Sequence, residues 1–434
     1  MEIYCDRRQF LHSAVTVTGA VALSACGGGG GGTQSILTPT VIAPTPAPTP
    51  NWTPARGGDA KVVATANTFL SQNGNLTGWE YAFGKIVDDY SGGVFNPYWG
   101  PLGAMVFHGG GHSATFDNSV VVLDLNDLTF KRLSNPTPSN NGKNWISTAG
   151  LVQKVDPAFD LSYCEYGDGQ PGSGHTYDTL AILPPVDGGA PCGSLIRVSS
   201  HAVHVNMSRN TGWAHRFDFQ STAMRNGKWV RWSLNGPSSY LFPGACSAYD
   251  SRRKRFWWMA GLSSLPPMIR FLDVATQLQL EVPFSRTAKL APPANPDSVT
   301  LRYESERDIL VLTCTVGGEL ILAFLRCASP ELGWVVPPVS GTIPAKPGSS
   351  HPFDFVPESD KFVLLTGADN AALYDIFPPQ DLTRAWTVTR RSLVGIAIPA
   401  AHVAGKRWSY APTVQAFVWM AHSSSALVAY RPFV

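Results

Sequence analysis

Short apolar runs recur along most of this chain, each closed by a glycine, a proline or a pair of polar residues. The clearest set begins at Ala104 to Phe107, which ends at His108 and Gly109-Gly110-Gly111. His112 to Asn118 then leads into a second run, Val120 to Leu125, and the polar pair Asn126-Asp127 separates that run from Leu128 to Leu133. Apolar strand, glycine break, apolar strand, tight polar turn and a further strand with an aromatic residue predict one antiparallel sheet. Glycines at the break give the backbone conformations closed to other residues. His112 falls where a strand meets one end of the sheet.

The unit from Tyr90 to Leu133 is followed by others of the same plan. His175-Thr176-Tyr177-Asp178 opens a second, which ends near Lys228 to Trp232, and Gly244 to Asp250 opens a third. Ser298 to Tyr303 opens a fourth, and His351 to Phe355 opens a fifth with Trp386 on its outer strand. Arg407 to Tyr410 opens a sixth, which runs out at its third strand, Ala426 to Tyr430. A spacing of roughly 50–60 residues with short strands throughout predicts an all-β fold, a β-propeller of six to seven four-stranded blades. A seventh blade would draw on Asp59 to Lys85.

The incomplete sixth unit predicts N-/C-terminal closure, because a strand from the other terminus removes an open edge. Lys61 to Asn67 or Gly78 to Phe83 is the expected donor. Trp229, Trp232, Trp257, Trp258 and Trp386 are expected on outer strands, packing between blades.

The N-terminal 55 residues break this pattern. Asp6-Arg7-Arg8-Gln9-Phe10-Leu11 before an apolar run, Ala14 to Leu23, resembles a twin-arginine export signal. Leu23-Ser24-Ala25-Cys26 resembles a bacterial lipobox, which implies cleavage before Cys26 and its acylation. The apolar run is short for a transmembrane helix. Gly27 to Gly32 and the Thr/Pro stretch from Thr38 to Pro54 cannot bury a core and read as a tether. The expected organisation is a leader at 1–25, a tether at 26–55 and a propeller at 56–434. The chain is then exported and lipid-anchored through Cys26, on the periplasmic side or at the outer membrane.

Composition narrows the ligand. Charged residues are 15% of the 434, with a net charge of +2, which offers no concentrated basic surface for nucleic acid. With Cys5 and Cys26 set aside, Cys164–Cys192 and Cys314–Cys327 are possible disulfides, free buried thiols being the alternative. Nucleophile-elbow, phosphate-loop, dinucleotide and Asp-rich calcium motifs do not occur.

The histidines carry the candidate chemistry. His112, His201 and His422 fall just after second strands, His175, His351 and His402 at or before first strands, and His204 in the connection of His201. In a four-stranded blade those connections open on one face, so seven of the ten histidines are expected to ring one mouth. Tyr177 follows His175 by two, which on a strand puts both on one face. A histidine beside a tyrosine supplies a base and an acid.

The Gly-Gly-Gly-His blade, the His-Thr-Tyr-Asp stretch and the repeated Tyr-Asp or Phe-Asp turns resemble kelch and galactose-oxidase-like bacterial propellers. A weaker resemblance is to the propeller-type polysaccharide (ulvan) lyases, which cleave uronate chains by β-elimination. It implies His112 and Tyr177 as the histidine and tyrosine of the site and Arg197 as the arginine that neutralises the uronate. The second histidine of that family is missing from Val120 to Leu125, with His175 or His201 as replacements.

His175, His201, His204, His351, Tyr410 and His422 are then substrate-binding residues. The Tyr-His copper ligand pair of galactose oxidase does not occur, and no cofactor is indicated, a histidine-bound zinc or copper remaining an alternative. The sequence therefore predicts a lipoprotein propeller acting on an acidic polysaccharide or other glycan. A non-catalytic carbohydrate- or protein-binding kelch module is the alternative.

Overall fold

A computed structural model describes residues 50–64, 87, 91–109, 118–134, 165–172, 174, 176–198, 200–201, 210–211, 213–222, 227–235, 246–259, 269–282, 299–316, 319–344, 351–366, 372–392, 407–420 and 425–433. The expected leader, with Cys26, and most of the expected tether lie outside them.

Period-two alternation in the apolar runs yields six antiparallel sheets, the blades of a propeller. Blade 1 runs Gly92–Asn96, Ala104–His108, Val121–Asp124 and Thr129–Arg132. Blade 2 runs Leu180–Leu183, Ser194–Arg197, His215–Phe219 and Gly227–Arg231. Blade 3 runs Cys246–Asp250, Arg255–Met259, Ile269–Asp273 and Gln279–Val282.

Blade 4 is Thr300–Glu304, Ile309–Val316 and Glu319–Arg326, with Val335 bridging Phe324 at its outer edge. Blade 5 is Phe353–Val356, Lys361–Leu365, Leu373–Phe377 and Trp386–Arg391, plus Val339–Gly341 in parallel on the last strand. Blade 6 is Trp408–Ala411, Ala416–Trp419 and Leu427–Tyr430, and its fourth strand is Ala60–Ala64. The helical content among the described residues is three short 3-10 turns.

Alternation also explains how the blades adhere. On the second strand of blade 3, Trp257 faces the core shared with blade 4, while Phe256 and Trp258 face the core shared with blade 2. On blade 1, Met105 and Phe107 pack toward blade 6, and Ala104 and Val106 toward blade 2. Every pair of adjacent blades shares such an apolar core, including blades 6 and 1. The five tryptophans named above are all buried, but Trp257 and Trp258 lie on a second strand rather than an outer one.

Each inner strand runs from a loop end, where blades connect to one another, to a turn end, where it turns into the second strand. Gly92 pairs with His108 at the loop end of blade 1 and Asn96 with Ala104 at its turn end. Lys254, Asp308, Asp360 and Gln415 each precede a second strand with positive φ, the same turn geometry in blades 3 to 6.

Cys192, Cys246, Cys314 and Cys327 are free thiols. Of the two alternatives for Cys314 and Cys327, the structure has the buried free thiols and not the bridge, for a reason of register. Cys314 lies opposite Ile321, whereas Cys327 follows Arg326, the partner of Ile309. About six residues of extended hairpin, roughly 20 Å, separate the two cysteines, well beyond disulfide reach. Cys164 lies outside the described residues.

Ala60, Lys61 and Val62 pair with Tyr430, Ala429 and Val428, and Arg431 donates through Nε to the Pro54 carbonyl at 2.6 Å. Deleting residues 1–64 would bare the edge of Leu427–Tyr430. The thermal midpoint should then fall by about 5 °C or more and light scattering should detect association. An unchanged midpoint in a monodisperse sample would contradict this role.

Candidate functional site

The loop end brings together a buried polar group from blades 1 and 2. His108 closes the second strand of blade 1, and its Nδ1 lies 3.3 Å from the Ser119 carbonyl. Its Nε2 is 3.1 Å from Nη1 of Arg197, which closes the second strand of blade 2 and donates to the Gly172 carbonyl at 2.6 Å. A guanidinium donor at Nε2 leaves the ring proton on Nδ1. His215 opens the third strand of blade 2 and bonds Glu165 Oε1 through Nε2 at 2.8 Å. Trp229 covers both rings, with centroids 4.7 Å from His108 and 6.5 Å from His215.

Burial, with Arg197 adding to it, holds His108 well below the ordinary imidazole range. Burial also lowers His215, against the pull of Glu165. Both rings are therefore neutral near pH 7.

Tyr177 sits just before the inner strand of blade 2 with φ +35, a conformation sparsely populated by non-glycine residues. The close approach of blade 1 imposes it. Gly92 donates its N–H to Thr176 Oγ1 at 2.7 Å, and a Cβ at Gly92 would strike the Tyr177 carbonyl. Tyr177 therefore lies in a turn, so the alternation that would align it with His175 does not operate there. Arg197 is fully buried against His108 rather than open to a polymer.

His351 is fully buried before the inner strand of blade 5, and burial lowers its pKa to about 4. His201 lies in a short strand, Ser200–His201, paired with Asn210–Thr211. His112, His175, His204, His402 and His422 lie outside the described residues.

The described cavity is at the other end of the channel. Its volume is about 390 Å³, and residues from the inner strands or inner-strand ends of all six blades line it. Tyr98, Tyr249, Tyr303 and Tyr410 form its aromatic walls, and Arg302 and Asp354 are its charged residues. Tyr410, expected among the histidines, thus belongs to this cavity.

Arg302 reaches Asp178 through Nη1 at 3.1 Å and Asp354 through Nε at 2.9 Å. Asp178 Oδ2 also accepts the Leu301 N–H, and Asp354 Oδ2 accepts the Tyr410 N–H, both at 2.9 Å. Burial opposes the charge on Arg302, but Asp178 and Asp354 outweigh it and hold the guanidinium protonated. One arginine thereby latches blades 2, 4 and 5 across the axis.

The tyrosine hydroxyls are tied to carboxylates in the turns. Tyr249 donates to Asp187 Oδ2 at 2.6 Å and Tyr303 to Asp308 Oδ1 at 3.2 Å, and Tyr410 bonds Glu358. Burial and these carboxylates push all three phenols up, and burial and Asp187 do the same to Tyr98. No phenolate base is available there near neutral pH.

Asp250, Asp308 and Cys327 cluster within 4.8 Å at the turn end between blades 3 and 4. Arg253 already fills the position of a cation, bonding Asp308 with both Nη atoms at 2.5 and 2.6 Å and Asp250 at 3.2 Å. Burial pushes the Cys327 thiol up, so it is a poor thiolate ligand. This donor set fits a structural salt bridge and not a metal.

Sequence reasoning missed Asp178, Arg302 and Asp354 as a unit, because they lie in three blades. The local signal was present in the Tyr249-Asp250 and Tyr303-Glu304 pairs that end inner strands.

Replacing Arg302 with Met strands the buried carboxylates. It should cost about 3–5 kcal/mol in a urea melt, and a loss under about 1 kcal/mol would contradict the latch.

The histidines give a pH prediction. His108, His215 and His351 bind protons more tightly unfolded than folded, so their contribution is complete above pH 6.5 and is lost as pH falls toward about 4. Stability measured from about pH 7 to about pH 4 should fall, and His351→Phe should remove up to about one proton from the slope. An unaltered slope would contradict the burial of a neutral His351.

No family model matches the chain, and no curated protein matches it. Among solved structures it is similar to TolB from Acinetobacter baumannii, at 11% identity and a TM-score of 0.32, over 66% of this chain and 54% of that one. It is also similar to a structural genomics protein of unknown function from Bacteroides thetaiotaomicron VPI-5482. There the identity is 9% and the TM-score 0.42, over 76% of this chain and 66% of that one. The chain spans about half the length of the first and just under two thirds of the second. At these scores neither likeness carries an argument about function.

Proposed function

We propose that this chain is an exported, lipid-anchored propeller that binds a glycan in its central channel. The observation that carries the reading is the turn-end cavity, walled by four tyrosines and floored by an arginine between two carboxylates. Aromatic faces cover the apolar faces of sugar rings, while fixed charged groups exchange hydrogen bonds with hydroxyls. The twin-arginine and lipobox resemblance at Arg7-Arg8 and Leu23 to Cys26 supports export and anchoring, and the Gly/Pro/Thr stretch supports a tether.

A second reading keeps the uronate lyase, with Tyr177 and Arg197 at the loop end and His112, outside the described residues, as its histidine. Tyr177 favours it, since a strained non-glycine backbone is a feature of functional sites. The burial of Arg197 counts against it, because neutralising a uronate requires contact.

Two measurements test the reading. Calorimetric titration against a panel of oligosaccharides should show binding that Tyr98→Ala weakens by about tenfold. Absorbance of the unsaturated product should stay flat with ulvan, glucuronan, pectin and alginate. A rise abolished by Tyr177→Phe would install the lyase instead, and no binding by any oligosaccharide would remove the glycan reading. For the anchor, Cys26→Ser should move the protein from the membrane fraction to the soluble one.

A further inference from the structure

The charges at the cavity floor say which sugar fits, an inference that rests on the glycan reading above. We propose that the turn-end cavity selects an uncharged sugar ring and rejects a uronate. Arg302 is the cationic residue of the lining, and its charge is already matched. Its Nη1 serves both oxygens of Asp178 and the Leu301 carbonyl, and its Nε serves Asp354. Asp178 and Asp354 share that one guanidinium, so the described lining residues hold no cation without a carboxylate partner. Above it, the Tyr249 and Tyr410 hydroxyls lean on the carboxylates of Asp187 and Glu358. Lys254 pairs with the same Asp187 at 3.1 Å and stays half exposed outside.

A ring carboxylate entering here would meet Asp354, which also lines the cavity, without a free cation to offset the repulsion. A hydroxyl meets a different prospect. Among the described residues no hydrogen-bond partner of Arg302 Nη2 is found, so it can donate to a hydroxyl or ring oxygen without requiring a counter-charge. Asp354 accepts in return, and Ser247 and Ser409 add small hydroxyl groups to the wall. Donor, acceptor and aromatic face are together, and net positive charge is missing.

Matched probes separate the possibilities. Cello-oligosaccharide and a β-1,4-linked oligoglucuronate of equal length differ only at C6, as do α-1,4-linked oligogalactose and oligogalacturonate. In calorimetric titration of the wild-type protein, the neutral member of a pair should bind at least about tenfold tighter, with little dependence on salt. Asp354→Asn removes one of the two carboxylates and should narrow that gap by about tenfold. Tyr98→Ala, at the rim and outside the latch, should weaken the neutral probe while the melting temperature holds.

Tighter wild-type binding of the uronate member, weakened by salt, would overturn the charge selection and leave the glycan reading standing. Binding of neither member in both pairs would overturn both.

Discussion

A single guanidinium at the axis, held between carboxylates from two other blades, is the interaction on which this molecule turns. Arg302, Asp178 and Asp354 belong to blades 4, 2 and 5, and each carboxylate also accepts a backbone N–H, Asp178 from Leu301 beside Arg302 and Asp354 from Tyr410 in blade 6. Buried ion pairs seldom add net stability over apolar packing, since desolvation of the charges offsets their attraction. Their value here is geometric. Asp178 additionally accepts Ser247 N–H through its carbonyl at 2.8 Å, so five successive blades, 2 to 6, are tied together around this group. Arg302 and Asp354 of this group also line the cavity, and the proposed ligand selection rests on their pairing.

Around the latch, the turn end repeats one electrostatic device. In blade 3, Asp250 accepts the N–H groups of Arg252 and Arg253, and Arg253 crosses to Asp308 in the turn of blade 4. In blade 4, Glu304 accepts from Glu306 and Arg307, and Arg307 crosses to Asp360 in the turn of blade 5. Tyrosines fix two further gaps, Tyr249 reaching Asp187 of the preceding blade and Tyr410 reaching Glu358 of the preceding blade. Apolar cores glue the blade faces, while these pairs set the turns that surround the cavity. The proposed ligand site is therefore built on a cross-linked part of the framework, as preorganised binding requires.

The local pattern was legible where chemistry is local. The runs around Ala104, Val120 and Leu128 became strands of blade 1, and Trp229 and Trp386 became outer-strand packing, because period-two burial is written residue by residue. His175 to Asp178 was read as a strand, but Tyr177, against Gly92 of another blade, lies in a turn with positive φ. The Cys314–Cys327 pairing failed for the opposite reason: the hairpin is longer than spacing alone reveals. The site was the least legible part. Histidine placement pointed to the loop end, a reading whose His112, His175, His204, His402 and His422 lie outside the described residues, and the described cavity is made by tyrosines and an arginine spread from residue 98 to residue 410. Only ring closure brings those together, and no window of sequence contains it.

The most direct measurement is a crystal structure of the protein grown with a neutral oligosaccharide that binds in titration. This account predicts a sugar ring stacked among Tyr98, Tyr249, Tyr303 and Tyr410, with a hydroxyl within hydrogen-bonding distance of Arg302 Nη2 and the Asp178–Arg302–Asp354 bridge intact. A sugar seated instead at the loop end, beside Tyr177 and His108, with the turn-end cavity filled by water, would contradict it.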